Sequence, residues 1–96
     1  MNNLGRAKDS GLHDYELLLI TVDYNHANVN MKFKDLKENT FEICIEKFWS
    51  FKIFHEEPWG KGKYVCSSDI NYNNVVNAYS LEIELNSGDK IEVIYN

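Results

Sequence analysis

Ninety-six residues, 44% of them hydrophobic and 14% aromatic, supply one hydrophobic core and not two, with enough apolar mass that neither a structural metal nor an obligatory disulfide is needed. A formal charge of −5, with Arg6 the single arginine, excludes the concentrated positive charge by which DNA- and RNA-binding proteins displace counterions. No run reaches the ~18 apolar residues of a membrane-crossing helix, the longest being YELLLITV at 15–22, so neither nucleic acid nor a membrane is expected as a partner.

The opening MNNLGRAKDSG is polar and has no apolar signal-peptide core, so residues 1–11 read as a flexible lead-in to a single domain over 12–96, expected in the cytoplasm. Cys44 and Cys66 lack CxxC spacing and read as reduced, in keeping with that compartment. A short helix over LHDYELL, capped by Asp14, competes there with the β-run that follows.

From residue 15 the chain is a succession of period-2 segments. In YELLLITVDY, Leu18, Ile20, Val22 and Tyr24 share a face; in VNMKFK, so do Val29, Met31 and Phe33. A loop centred on Asn25 and His26 then pairs Val22 with Val29, Ile20 with Met31 and Leu18 with Phe33. A one-residue slip would send the apolar set to solvent, so this register defines a hairpin. A turn at DLKEN continues the meander, pairing Phe33 with Phe41 and Met31 with Ile43.

TFEICIEKFWSFKIFHE then runs for 17 positions without a turn residue, longer than the usual 3 to 10 residues of a strand. It either bends near Lys47–Ser50, passing from one sheet to another or round a barrel corner, or breaks there into two strands. EPWGKGKY (57–64) ends the ladder, because Pro58 removes a donor and holds its predecessor extended. YVCSSDINY is a weaker strand, closed by the turn signal at Asn73 and Asn74. The last hairpin is the clearest feature. A three-residue loop of Asn86, Ser87 and Gly88 pairs Glu84 with Lys90, Ile83 with Ile91, Glu82 with Glu92, Leu81 with Val93 and Tyr79 with Tyr95. Gly88 stands where such a loop needs a left-handed residue. The expected fold is therefore all-β: a compact antiparallel sandwich or partly open barrel of six to seven strands, with room for one short N-terminal helix.

Chemistry is sparse. His13, His26 and His55 lie in three segments, none with a second ligand at zinc-motif spacing, and His13 and Asp14 as strand neighbours would point to opposite faces. Cys44 sits between Glu42 and Glu46, whose charge works against a thiolate nucleophile. GKGK at 60–63 lacks the spacing and following helix of a phosphate loop. No catalytic residue, metal ligand or cofactor site is expected.

Two features point instead to a binding surface. Glu82 and Glu92 stand opposite each other on the face that carries Glu84, and like charges there cost a few tenths of a kcal/mol to about 1. That face is either simply solvated or open to a cationic partner. Trp59 and Tyr64 bracket the Lys61 loop, with Glu56 and Glu57 before it; Trp and Tyr are common interface anchors, although Trp59 equally suits a plug over an open end of the core.

LHDYELLLITVDY, EPWGKGKY and LEIELNSGDKIEV, in that order across residues 12–95, resemble the small all-β bacterial proteins found beside polymorphic or contact-dependent toxins, some of them immunity proteins. The resemblance implies a cytoplasmic, non-enzymatic inhibitor that covers the basic active site of one toxin domain with acidic groups. It carries over no set of binding residues. The contact residues expected from the sequence are Glu56, Glu57, Trp59, Lys61, Tyr64, Glu82, Glu84 and Glu92, on a monomer or homodimer. The alternative is a small assembly protein that self-associates through an edge strand.

Overall fold

The computed structural model describes residues 3–54 and 63–96. Seven strands are present among them: β1 (Glu16–Asp23), β2 (Asn28–Lys34), β3 (Thr40–Ile45), β4 (Ser50–Phe54), β5 (Val65–Asn73), β6 (Ala78–Leu85) and β7 (Lys90–Tyr95). They form two antiparallel sheets, β1-β2-β3 and β4-β7-β6-β5. No helix among the described residues is long and apolar enough to cross a membrane.

The sheets face each other across a single core, and alternation in the sequence decides which side chains enter it. Val29, Met31, Phe33 and Ile43 from the first sheet and Leu81 and Val93 from the second are wholly inaccessible to solvent, joined by Val65, Ile83 and Ile91. At ~1.5–3 kcal/mol for each large apolar side chain removed from water, this interior is the dominant favourable contribution to folding.

Both pairs of edge strands are joined at a corner. At one corner Glu16 bridges Tyr64. Asp14 N–H donates to the Val65 carbonyl at 2.8 Å, Val65 N–H to Tyr15 at 2.9 Å and Leu17 N–H to Lys63 at 2.7 Å. At the other corner the chain itself crosses between Ile45 and Ser50. The 17-residue run thus breaks into β3 and β4, and Lys47 takes the left-handed φ of 54° that the reversal requires. The result is a sandwich closed at two corners, in which the sandwich and barrel expectations meet.

The hairpins keep the expected registers of Val22 with Val29, Ile20 with Met31, Phe33 with Phe41 and Met31 with Ile43. In the last hairpin Tyr79 meets Tyr95, Leu81 meets Val93, Glu82 meets Glu92 and Glu84 meets Lys90; Gly88 has φ 93°. One pairing is corrected: Leu17, not Leu18, lies opposite Phe33. A bulge at Leu18 inserts one extra residue, so that both Leu17 and Ile20 pack against the core while Leu18 and Leu19 face out. A second bulge between Val65 and Ser67 leaves Cys66 exposed and turns both Val65 and Ser68 inward.

The short helix lies upstream of LHDYELL. Leu4–Ser10 forms two 3-10 turns either side of non-helical Lys8 and Asp9, and Asp14, expected as a cap, instead adopts φ 66°. The residues read as a lead-in are tied to both sheets. Ala7 is fully buried, as is Leu12 immediately after that segment. Asn3 Nδ2 donates to the Glu42 carbonyl at 2.9 Å, Asp9 N–H to Asp69 at 3.2 Å and Leu12 N–H to Ser68 Oγ at 3.2 Å. The Arg6 guanidinium lies 3.6 Å from the centre of the Phe41 ring and 3.8 Å from Asp35. Gly11 is needed for close approach, since a Cβ there would sit 2.0 Å from the Arg6 carbonyl oxygen.

Because Leu12 is part of the core, Leu12→Ala is expected to lower the unfolding free energy by about 2–5 kcal/mol in a urea titration. A loss below ~0.5 kcal/mol would show that the N-terminal segment is not part of the cooperative unit.

Candidate functional site

The same alternation that fills the core with Leu81, Ile83, Ile91 and Val93 puts their neighbours on the outer face of the four-stranded sheet. Cross-strand pairing aligns two rows there. One runs Asp69, Glu82, Glu92, Lys52; the other runs Ser67, Glu84, Lys90, Phe54. Glu82 therefore has a carboxylate opposite it on each side. Among the described residues the face carries four carboxylates against two ammonium groups.

This face is concave. A cavity of about 320 Å³ lies over it, with Ser10 of the N-terminal segment and Phe54 of β4 among its walls. Phe54 is half exposed, giving the otherwise polar hollow an apolar border. Among the described residues, ion pairs occur elsewhere, Arg6 with Asp35 and Glu16 with both Lys34 and Lys63, and so do the contacts of His13 with Asp14 and His26 with Asp23. None within 4 Å joins Glu82, Glu84 or Glu92 to a cation of the described chain. The arrangement suits reception of positive charge, and the hollow has the size for one or two long basic side chains.

Of the eight contact residues expected from the sequence, the structure gathers Glu82, Glu84 and Glu92 in this cavity. It adds Asp69 and Lys90 to the cavity, and places Lys52 opposite Glu92 on the same face; sequence reasoning missed all three. Tyr64 lies elsewhere. It lines a separate hollow of about 190 Å³ with Glu16, Lys34 and Asp35, and Lys63 Nζ sits 5.4 Å from its ring centre and 3.6 Å from Glu16. Tyr64 N–H donates to Asn86 Oδ1 at 3.4 Å, and its carbonyl accepts from Asn86 N–H at 2.8 Å; the residue is thus part of the corner between the sheets. Glu56, Glu57, Trp59 and Lys61, with the question whether Trp59 plugs the core, fall outside the described residues.

The histidines form a different geometry from the one expected. His13 and Asp14 occupy a turn, not a strand, and the left-handed backbone at Asp14 brings its carboxylate to 3.5 Å from His13 Nε2. His13 Nδ1 lies 2.7 Å from the Cys66 carbonyl, to which it donates. The contact anchors the turn to β5. At the opposite end His26 Nδ1 meets Asp23 at 2.8 Å, and that hydrogen bond holds the Asp23 carboxyl below the usual carboxylate range. Burial, with Tyr79 beside it, pushes the Tyr95 hydroxyl up. No group of three or more His, Cys, Asp or Glu side chains arranged to hold a metal occurs among the described residues. Comparison with protein-family models, with curated proteins and with solved structures finds no match to the chain.

Since Glu82 has like charges on both sides, Glu82→Gln is expected to raise the unfolding free energy by roughly 0.3–1 kcal/mol at neutral pH and low salt, read from urea midpoints. A stability loss would show that the carboxylate is already compensated.

Proposed function

We propose that this chain is a non-enzymatic binding protein that neutralises a bacterial toxin domain in the cytoplasm by occluding its basic surface. The observation that carries this reading is the position of Glu82 between Asp69 and Glu92, on a concave face that also carries Glu84. At Glu82 the arrangement works against the native state, because carboxylates stand on both sides of it, whereas Glu92 and Glu84 each have a lysine opposite, Lys52 and Lys90. A cationic partner reverses the sign of the interaction, and complementary charge both accelerates encounter and selects among partners.

In this reading the mechanism is occlusion. Basic side chains of the partner enter the hollow between Asp69, Glu82, Glu84 and Glu92, where Phe54 covers their alkyl stems. Lys52 and Lys90 at the borders restrict which cations fit. The partner's active site is blocked by the bulk of the sandwich, with no chemistry by the inhibitor.

The experiment is co-expression with the product of the adjacent gene. The expected outcome is a stable complex and protection from growth arrest, both lost in a Glu82→Lys, Glu92→Lys double variant that retains its circular dichroism. The reading fails if no complex forms, or if the double variant binds and protects as the parent does.

A further inference from the structure

A different surface, independent of the acidic face, suits a second copy of the chain. The end of the sandwich opposite the Tyr64 corner is built from three turns held together by hydrogen bonds. Phe48 N–H donates to the Ala27 carbonyl, Trp49 N–H to Ile94, and Asn96 Nδ2 to the Asn77 carbonyl. These contacts place the β1–β2 turn, the Glu46–Trp49 crossing, the end of β7 and the β5–β6 turn side by side.

Exposed apolar side chains concentrate there. Tyr24 is 88% exposed, Trp49 56%, Tyr72 52%, Val75 86%, Val76 52% and Tyr79 42%. Two of these three tyrosines are held in place by neighbours: Tyr72 and Tyr79 have ring centres 4.8 Å apart, Tyr79 stacks on Tyr95 at 5.4 Å, and the Tyr72 hydroxyl donates to Asn77. Rings ordered in this way lose little further entropy when a partner covers them. At about 200 Å² a ring, the four aromatic side chains leave on the order of 500 Å² open to water. Val75 and Val76 bring the total toward the ~800 Å² that each side of a standard specific interface covers.

Charge selects the occupant. Two copies with a formal charge of −5 each repel wherever their acidic faces meet. The segment from Tyr72 to Tyr79, YNNVVNAY, contains no charged residue, in a chain that is 26% charged. In the adjoining turns the charged residues are few: Asp23, which is hydrogen-bonded to His26, and the neighbours Glu46 and Lys47. This end is therefore where two acidic copies approach with less repulsion than at the face that carries Asp69, Glu82, Glu84 and Glu92. We infer that the chain forms a two-fold homodimer through the tyrosine and valine end, with the Val75–Val76 tips packed between the rings of the partner. An isologous contact of this kind closes on itself and leaves the acidic cavity of each copy facing outward.

Sedimentation equilibrium of the isolated protein over a wide concentration range tests this inference separately from the toxin-binding reading. The expected result is a monomer–dimer equilibrium. It should weaken by roughly 30-fold or more in a Val75→Asp, Val76→Asp variant, the loss expected when a central apolar contact is replaced by opposed carboxylates. Both valines are at an exposed turn, and circular dichroism checks that the variant is folded. Glu82→Gln should leave the equilibrium within about twofold. A parent chain that remains monomeric at every concentration, a dimer that persists in the double-aspartate variant, or one that responds chiefly to Glu82→Gln would each overturn the inference.

Discussion

The reversal between β3 and β4 is the constraint on which the rest of the structure depends. A continuous strand from Thr40 to Phe54 would be about 50 Å long at ~3.3 Å per residue, yet the longest dimension of the protein is 34 Å. The chain resolves this at Glu46–Trp49, where successive amides are bound to different sheets. Lys47 N–H is 3.2 Å from Asn28 Oδ1, Phe48 N–H is 2.8 Å from the Ala27 carbonyl, and Trp49 N–H is 2.7 Å from that of Ile94. Once the run is divided there, the apolar faces of β2 and β3 meet those of β6 and β7. The corner at Glu16 and Tyr64 and the packed N-terminal segment then cover further borders of the same core.

The core in turn dictates what the outside carries. Pairing Leu81 with Val93 and Ile83 with Ile91 leaves Glu82 no position except beside Glu92, and the same logic through Ile70 and Leu81 sets Asp69 on its other side. A slip of one residue would separate nothing usefully, because it would turn the carboxylates into the interior, at a cost well above the ~1 kcal/mol of surface repulsion. The acidic row is thus tolerated by folding and is available for binding. The tyrosine end has a comparable origin: Tyr72 and Tyr79 follow the inward-facing parity of their strands but are exposed, Tyr79 stacking on Tyr95 at the border of the core.

Sequence reading succeeded where alternation is unbroken. In β2, β3, β6 and β7 the apolar period and the loop lengths were enough to pair Met31 with Ile43 or Glu82 with Glu92. It failed at the bulges. Leu17, Leu18 and Leu19 are chemically alike, so nothing in the pattern marks Leu18 as the extra residue. Cys66, Ser67 and Ser68 are all small, so the shift that puts Ser68 inside and Asp69 on the acidic face left no trace. Lys52 was missed because β4 pairs with β7, some forty residues away, and no local signal specifies a non-local neighbour. The N-terminal segment contributes only Leu4, Ala7 and Leu12 to the interior, too few to show a period. Its ties to Glu42, Ser68 and Asp69 depend on the assembled sheets. Tyr64 is exposed as expected of an anchor, yet its backbone serves the corner and its ring lies in a different hollow from the carboxylates.

The central claim, that the core holds a self-repelling acidic row on the outer face, is tested most directly by the salt dependence of stability. Raising sodium chloride from about 0.01 to 0.2 M shortens the screening length from ~30 Å to under ~10 Å. The unfolding free energy at neutral pH should rise over that range, and the rise should be smaller in Glu82→Gln. A stability that falls with added salt, or a rise that the substitution leaves untouched, would contradict the account.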